Sequence, residues 1–533
     1  MHIAIVGGGA AAVSLLDALA AKQGSVDDEP RTITVFEPSP HLWRGRPYGP
    51  DLDAVLVNAP PAIMSIRHGD FGHYTAWLGE RGSDHIDELL GEPLVPRALY
   101  GDYLAQSAEK AMAALSEQGW DVRVVAAAVS EVATDITRSG PRRLVLRTQE
   151  KQEKQEKQEK QEKQEKQEKQ EKQEKQEKQE KQDTQDTQDT HDPQQYEATH
   201  VVLCVGQGAP PDLYGLVGNP RFTRDPYPLA DTLDRLPTGG GVAIIGSGLT
   251  AVDIVTSLAA RGHQGHITLL SRSGLLPHVW QRPDGRRPEH ITVERLATLH
   301  AERGRVTLDD LRELLRAELA VAGEDVDGLV AELLATPAQD PGRRIEWLAR
   351  QIAAVDSPRI GRRVLQETAH TVGPYAWRLL SEADRTRLSR HVRIATSVAS
   401  PMIPVNASVL MRLLDSGQLT ITSGLQAVES ANGRFRIRHD GGERTAEFVV
   451  NAVNPPPHTV PAAARHLVES LVDTGLATLH RQGGLSPSDP RVQVVGDLAA
   501  TGSFITSSIP GVAAQASHAA EALLTPPHPQ LQA

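Results

Sequence analysis

The 533-residue chain has one cysteine, Cys204, so it forms no internal disulfide and carries no Cys-x-x-Cys pair for redox exchange or zinc. No stretch reaches the roughly 18 apolar residues of a membrane span, and the N-terminus enters an apolar run with no basic region or leader cleavage site. A reducing, cytoplasmic setting is expected. HExxH, GxSxG and clustered metal ligands are also missing, which leaves zincin and nucleophile-elbow hydrolases without their groups and gives no metal to expect. Basic charge is not in excess: 56 Lys and Arg face 68 Asp and Glu, a net charge of -12. That favours solubility and gives no reason to expect nucleic acid or a membrane as partner.

What is present is glycine in two informative places. With 44 Gly and 39% hydrophobic residues the composition is ordinary for an α/β protein of two or three domains. The chain opens MHIAIVGGGAAAV and later runs GGGVAIIGSGLTAVD. In the first stretch an apolar strand leads to Gly7, Gly9 and Ala12 in GxGxxA spacing, and AAAVSLLDALAAK continues as a helix. The first glycine permits the turn, the second lets backbone N–H groups approach a pyrophosphate, and Ala12 lets helix and strand pack closely. A second strand, RTITVFEP, ends at Glu37, an acid placed for a ribose hydroxyl. It lies further on than the usual spacing of about 20 residues, and the polar stretch QGSVDDEPR accounts for the extra length.

The later copy repeats this with Gly246, Gly248 and Ala251, but its second strand, HITLLSRSG, ends in Ser271 and Arg272. An arginine where a 2'-OH acceptor would stand suits a 2'-phosphate, so NADPH is favoured over NADH. Two dinucleotide loops imply two dinucleotides: a tightly held flavin and a nicotinamide that comes and goes. Near the C-terminus, VQVVGDLAATGSF brings a strand to Gly496 and Asp497, and SSIPGVAAQASHAAEALL opens a helix near Gly511, with Pro510 as a helix starter.

Between these signals, residues Glu150 to Gln182 repeat KQE and run on as DTQDTQDTHD. With no apolar residue the segment cannot join a core. Its period places Glu150 four residues before Lys154, the favourable order on a helix, so a free-standing charged helix and a tolerated expansion of a surface loop both stay open. RRLVLRT before it and THVVLCVGQG after it look like strands of a hairpin. About a hundred residues of helical pattern follow the second loop, including TLDDLRELLRAELAVAG with Thr307 as N-cap and Asp310 three residues on. This insertion is placed to cover the cleft between the two dinucleotide sites, as a substrate lid or as a structural or dimer-forming element. His278, Trp280, Arg282, Arg286 and Arg287 precede it, and arginines there suit a carboxylate or phosphate.

With these motifs the chain resembles the FAD/NAD(P)-binding proteins of the two-domain, glutathione-reductase-like fold, over most of its length outside the repeat and the helical middle. The stretch with Gly45, RPYG and VLVNAPPAIMS, followed by FGHYTAWL, is similar to bacterial N-hydroxylating flavin monooxygenases, nitrosuccinate-forming aspartate N-oxygenases among them. The resemblance implies that Gly45, Tyr48, Asn58 and Met64 lie along FAD, with Tyr48 and Asn58 nearest the isoalloxazine. It also implies that Asp497 bonds the ribityl chain and that the helix at Gly511 faces the flavin N1–C2=O edge. Read from the residues alone, Asn58 is equally a turn residue and Met64 equally core. EFVVNAVNPPP departs from the family by carrying Asn454 where Gly is expected.

The expected architecture is α/β with two Rossmann-like domains. Residues 1–149, 195–237 and 457–533 form the FAD-binding domain, with 150–194 the low-complexity insertion. Residues 238–290 begin the NADP-binding domain, 291–395 are the helical insertion, and 396–456 the β-meander that completes it. The expected function is an NADPH-consuming, FAD-dependent monooxygenase that N-hydroxylates a small amine or amino acid with O2 through a flavin C4a-hydroperoxide. The cofactors carry that chemistry, so no acid–base dyad is required of the sequence. A flavin reductase that never inserts oxygen has the same glycine loops, and a flavin-bearing scaffold with a KQE arm is a reading of another class. A homo-oligomer stays open.

Overall fold

The computed structural model describes residues 1–22, 30–134, 143–148, 194–335, 341–500, 505–506 and 508–525. The KQE repeat and the readings made on it lie outside these residues. β1 (His2–Val6) runs between β2 (Arg31–Phe36) and β7 (His200–Leu203), and β3 (Trp120–Val125) and β18 (Val492–Val494) complete a five-stranded parallel sheet of order β18-β7-β1-β2-β3. A second five-stranded parallel sheet has the order β11-β10-β9-β15-β8. Its strands are β8 (Phe222–Thr223), β9 (Val242–Ile245), β10 (Ile267–Leu270), β11 (Leu419–Thr422) and β15 (Phe448–Asn451). Apart from His2 at the start of β1, both central strands are apolar because both faces are covered, as parallel sheets require; Ile3, Ile5, Ala243 and Ile244 are wholly buried.

The repeat does interrupt a hairpin, but its second arm is β6 (Gln195–Ala198), antiparallel to β5 (Leu144–Thr148), which in turn pairs with β4 (Val129–Thr134). THVVLCVGQG is instead β7, one residue further on, and enters the main sheet. The expected meander also divides. β12 (Leu425–Ala431), β13 (Arg434–His439) and β14 (Gly442–Ala446) form an antiparallel sheet, whereas β11 and β15 on either side join the parallel one. Residues 396–415 are mostly helical, in Val392–Ala399 and Pro404–Asp415, so the strands begin only at Leu419. A small hairpin, β16 (Ala477–Leu479) and β17 (Leu485–Pro487), precedes β18.

The helix Ala10–Ala21 buries Val13, Leu15, Leu16 and Leu19 against the first sheet, at about 1.5–3 kcal/mol for each side chain. Helix Ile509–Leu524 shares the same core through Val512, Ala516, Ala520 and Leu523. The helical insertion has a core of its own, with Leu296, Leu319, Val326 and Val364. Its helix Leu308–Ala320 starts on the expected box, Thr307 Oγ1 accepting from Asp310 N–H while the Asp310 carboxylate accepts from Thr307 N–H. The helix Pro341–Ala353 docks the insertion on the second sheet through Trp347 and Leu348.

Candidate functional site

The two glycine loops repeat each other bond for bond. At the first, Gly7 N–H donates to Phe36 O (2.9 Å) and Cys204 N–H to Val6 O (2.7 Å); at the second, Gly246 N–H donates to Leu270 O (2.7 Å) and Ala452 N–H to Ile245 O (2.7 Å). Gly7 has φ +103° and a Cβ there would lie 2.4 Å from Cys204 O; Gly246 has φ +119° and a Cβ would lie 3.0 Å from Ala452 O. Each first glycine therefore turns the chain under the returning strand, where a side chain has neither the dihedral angle nor the room. Gly9 and Gly248 are the N-caps of helices Ala10–Ala21 and Leu249–Ala260, and neither helix has a side-chain cap. Their first-turn N–H groups are left for an anion. Ala12 and Ala251 are fully buried, as close helix–strand packing demands.

The surroundings of the loops differ. Glu37 accepts from Gly8 N–H at 2.7 Å and from Ser39 N–H at 2.8 Å, so this acid braces the loop. Gly45 (φ +57°) comes within 3.5 Å of a Cβ built on Gly9, and Trp43, itself at φ +71°, donates its N–H to Gly8 O at 2.7 Å. The segment 41–45 thus lies over the first loop. At the second loop Ser247 Oγ donates to Leu275 O (2.7 Å) and meets Ser271 Oγ (3.0 Å), which also accepts from Gly274 N–H (2.8 Å). Arg272 beside it is exposed, with no salt bridge among the described residues. A Cβ on Gly248 would meet nothing within 4 Å, so the space before this loop is open.

The other residues expected along FAD separate into three places. Tyr48 packs on Tyr100, ring centroids 4.6 Å apart, and its carbonyl sits where a Cβ on Gly101 would fall. Met64 lies in the core of the first sheet, and its carbonyl accepts from Tyr100 Oη at 2.8 Å. Asn58 belongs to the seam with the second unit: its Nδ2 donates to Asp253 Oδ1 (3.1 Å), its Oδ1 accepts from Asn406 Nδ2 (3.3 Å) and its carbonyl accepts from Trp280 Nε1 (2.9 Å).

Asp253 is a group that the motif reading passed over. It is buried on helix Leu249–Ala260 and also accepts from Arg97 Nη2 (2.6 Å) and Tyr227 Oη (2.5 Å). Arg97 reaches it from the first residue of helix Arg97–Glu117, and Arg46, paired with Asp225, stacks with Arg97 around the Tyr227 ring. This cluster ties the helix of the second loop to the first unit. The available signal was a lone carboxylate inside the apolar run LTAVDIV. Asn454 bonds Thr250 Oγ1 on the same helix at 3.3 Å, which gives the departure from Gly a use.

At the C-terminal end Gly496 (φ +100°) lies against Ala11, and Gln515 Oε1 accepts its N–H at 2.7 Å. Asp497 is buried, accepting from Gln207 Nε2 at 3.3 Å. Gly511 donates its N–H to the cap Ser508 Oγ at 3.3 Å. Ser508 in turn donates to His370 Nδ1 (3.1 Å), while His370 Nε2 carries the proton toward Ala399 O at 2.6 Å. Burial lowers this imidazole to about 4, so it stays neutral. Cys204 is buried at the end of β7 and burial raises its thiol, a core residue with no thiolate chemistry.

A cavity of about 970 Å³ opens beside Gly511, between the loop Pro60–Gly72, the segment 280–288 and the helical insertion. The insertion forms one wall of this cavity, whose lining includes no residue of the second glycine loop. Arg286 and Arg287 stand exposed at the rim, whereas Trp280 and Gln281 are buried within. Arg282, which shared their stretch of sequence, is instead engaged with Asp356, and His278 is buried against Ser397. Among the described residues no group of His, Cys, Asp and Glu is arranged to hold a metal, and no helix is long and apolar enough to cross a membrane.

Two parallel sheets, each with a glycine turn after its central strand, define the two-dinucleotide flavoprotein fold. Residues 4–159 match the sequence family described as FAD-NAD(P)-binding, so the chain carries an FAD/NAD(P)-binding domain. None of the curated proteins matches the chain. Its fold is similar to that of L-lysine 6-monooxygenase from Pseudomonas syringae, at 14% identity and TM-score 0.53 with 98% of each chain covered. It is also similar to the FAD-bound cadaverine monooxygenase of desferrioxamine biosynthesis from Erwinia amylovora, at 12% identity and TM-score 0.51, covering 99% of this chain and 96% of that one. Ornithine hydroxylase from Pseudomonas aeruginosa shares the fold at 13% identity and TM-score 0.50, covering 98% and 99%.

Proposed function

We propose that the protein is an FAD-dependent, NADPH-consuming monooxygenase that N-hydroxylates a small amine or amino acid. The observation that carries this reading is the pair of uncapped helices behind Gly9 and Gly248, one overlaid and one open, with a covered cavity at the flavin end of the first. Reduced FAD supplies the activated oxygen when O2 is present. The chain's own part is to hold the first dinucleotide with the N–H groups behind Gly9 and with Glu37, Gly45 and Asp497. The second is received by the N–H groups behind Gly248, with Ser271 and Arg272 at its ribose phosphate, and the helical insertion keeps water from the cavity.

The reading is supported by the structural neighbours, a lysine monooxygenase, a cadaverine monooxygenase and an ornithine hydroxylase, and by the absence from the sequence of a cysteine pair for disulfide reduction. The test is stoichiometric: NADPH consumed, hydroxylated amine formed and peroxide released are measured together with a panel of amines. Product formed in step with NADPH is the expected result. NADPH oxidised with peroxide alone would move the assignment to a reductase.

A further inference from the structure

The helix Gly361–Thr371 presents Glu367, His370 and Thr371 to the cavity, the i, i+3, i+4 stripe of one helical face. His370 is bonded to Ser508, the cap of the helix that begins beside Gly511. Glu367 stands about one turn, roughly 5 Å, along the same face. Its carboxylate is half-buried and has no hydrogen-bond or salt-bridge partner among the described residues. The nearest cation, Arg363, is spent on Asp284 Oδ2 (2.7 Å) and on the carbonyls of Arg282 and Ser357.

Gln281 lies in the same wall but is 2% exposed, its Nε2 donating to Ala354 O (3.1 Å) and Arg359 O (3.3 Å) and its backbone N–H to Gln366 Oε1 (3.0 Å), so it braces the helix that carries Glu367 and offers the cavity no free acceptor. Cations stand at the cavity's mouth, Arg286 and Arg287. A ligand with an ammonium for Glu367 at one end and a carboxylate for the arginines at the other matches both.

We propose, resting on the monooxygenase reading, that Glu367 receives the substrate's ammonium and takes its proton before nitrogen is oxidised, while Arg286 and Arg287 hold its carboxylate, which assigns a zwitterionic amino acid as substrate. An ammonium has no lone pair and cannot be hydroxylated. The N–H bond breaks, the proton goes to a Glu367 oxygen, and the freed pair forms the N–O bond with the oxygen activated at the reduced flavin. Nitrogen is oxidised by two electrons, and the two electrons from NADPH reduce the second oxygen atom to water. Burial raises the Glu367 carboxyl to about 7, with Asp284 adding to the rise and Arg363 opposing it. The group can therefore hold a proton near neutrality and give it up again. The other charged or titratable groups that line the cavity are Arg67, His68, Asp70, Glu92, Arg286, Arg287, Glu294, His370, Arg378 and His518, and burial also raises the Glu92 carboxyl.

The experiment compares wild type, Glu367→Gln and Glu367→Asp with L-lysine, L-ornithine, L-aspartate and cadaverine, following product, peroxide and anaerobic flavin reduction by NADPH from pH 6 to 10. In the wild type, product formation rises as the pH passes about 7, because only the ionised carboxylate accepts a proton. Glu367→Gln is expected to reduce flavin at the wild-type rate and to divert about nine-tenths of turnovers to peroxide at pH 7.5. It should regain coupling only toward the free amine's own range near 10, with Glu367→Asp intermediate and the amino acids preferred over cadaverine. An unchanged coupling and pH profile in Glu367→Gln, with the wild type hydroxylating normally, would overturn this assignment alone. A wild type that oxidises NADPH and releases only peroxide with every amine would overturn the monooxygenase reading and this assignment with it.

Discussion

The two glycine loops share their hydrogen bonds and differ in what lies over them. The first is roofed: Trp43 is bonded to Gly8 and Gly45 presses on Gly9. The second opens on space at Gly248, with an exposed arginine beside it. A roofed loop suits a cofactor that stays and an open loop one that exchanges each turnover, which is how the proposed function assigns FAD and NADPH to the two loops. The capped helices make the same point from the other side. Thr292, Thr307, Asp325 and Ser381 close the helices that follow them, where no anion has to enter.

The strongest way to break the comparison is Gly7→Ala. Its Cβ would strike Cys204 O from a left-handed backbone, and the expected result is a poorly folded protein without flavin, read from the flavin-to-protein absorbance ratio. Gly246→Ala meets Ala452 O less closely; it should keep FAD and lose most of its reduction by NADPH. Next in size is Asp253→Ala, which strands Arg97 in the seam. Breaking a buried pair costs about 3–5 kcal/mol, so a drop in unfolding temperature is expected together with slower hydride transfer, measured by calorimetry and stopped flow. Gly248→Ala sharpens the contrast: with φ −85° and no protein atom near its Cβ, it should leave stability unchanged while weakening NADPH about tenfold by crowding the phosphates. The smallest effect is at Arg272→Ala, where loss of one charge-assisted contact of about 1.5–3 kcal/mol should narrow the preference for NADPH over NADH and its dependence on salt.

Much of the fold was legible because it rests on local rules. Gly7 and Gly246 need positive φ, β1 and β9 need apolar residues on both faces, and the Thr307–Asp310 box marks a helix start at single-residue accuracy. Strand partners were harder: β6 is a four-residue segment of polar sequence whose pairing is set by β5, and the strands after Leu419 divide between two sheets on neighbours far away in sequence. The site was legible where it is backbone. Met64 and Asn58 show the limit, one placed in the core and the other at the seam between the two units, since nothing within VLVNAPPAIMS reveals which side chains face inward. Glu367 carried no motif, because its meaning lies in bonds it does not make.

The most direct test of the central claim is to purify the protein, measure its bound flavin, and mix it anaerobically with NADPH and with NADH in a stopped-flow spectrophotometer. FAD retained at one per chain, no nicotinamide retained, and saturable flavin reduction faster with NADPH than with NADH is the predicted result. A protein that comes through purification without flavin, or whose flavin neither nicotinamide reduces, would contradict it.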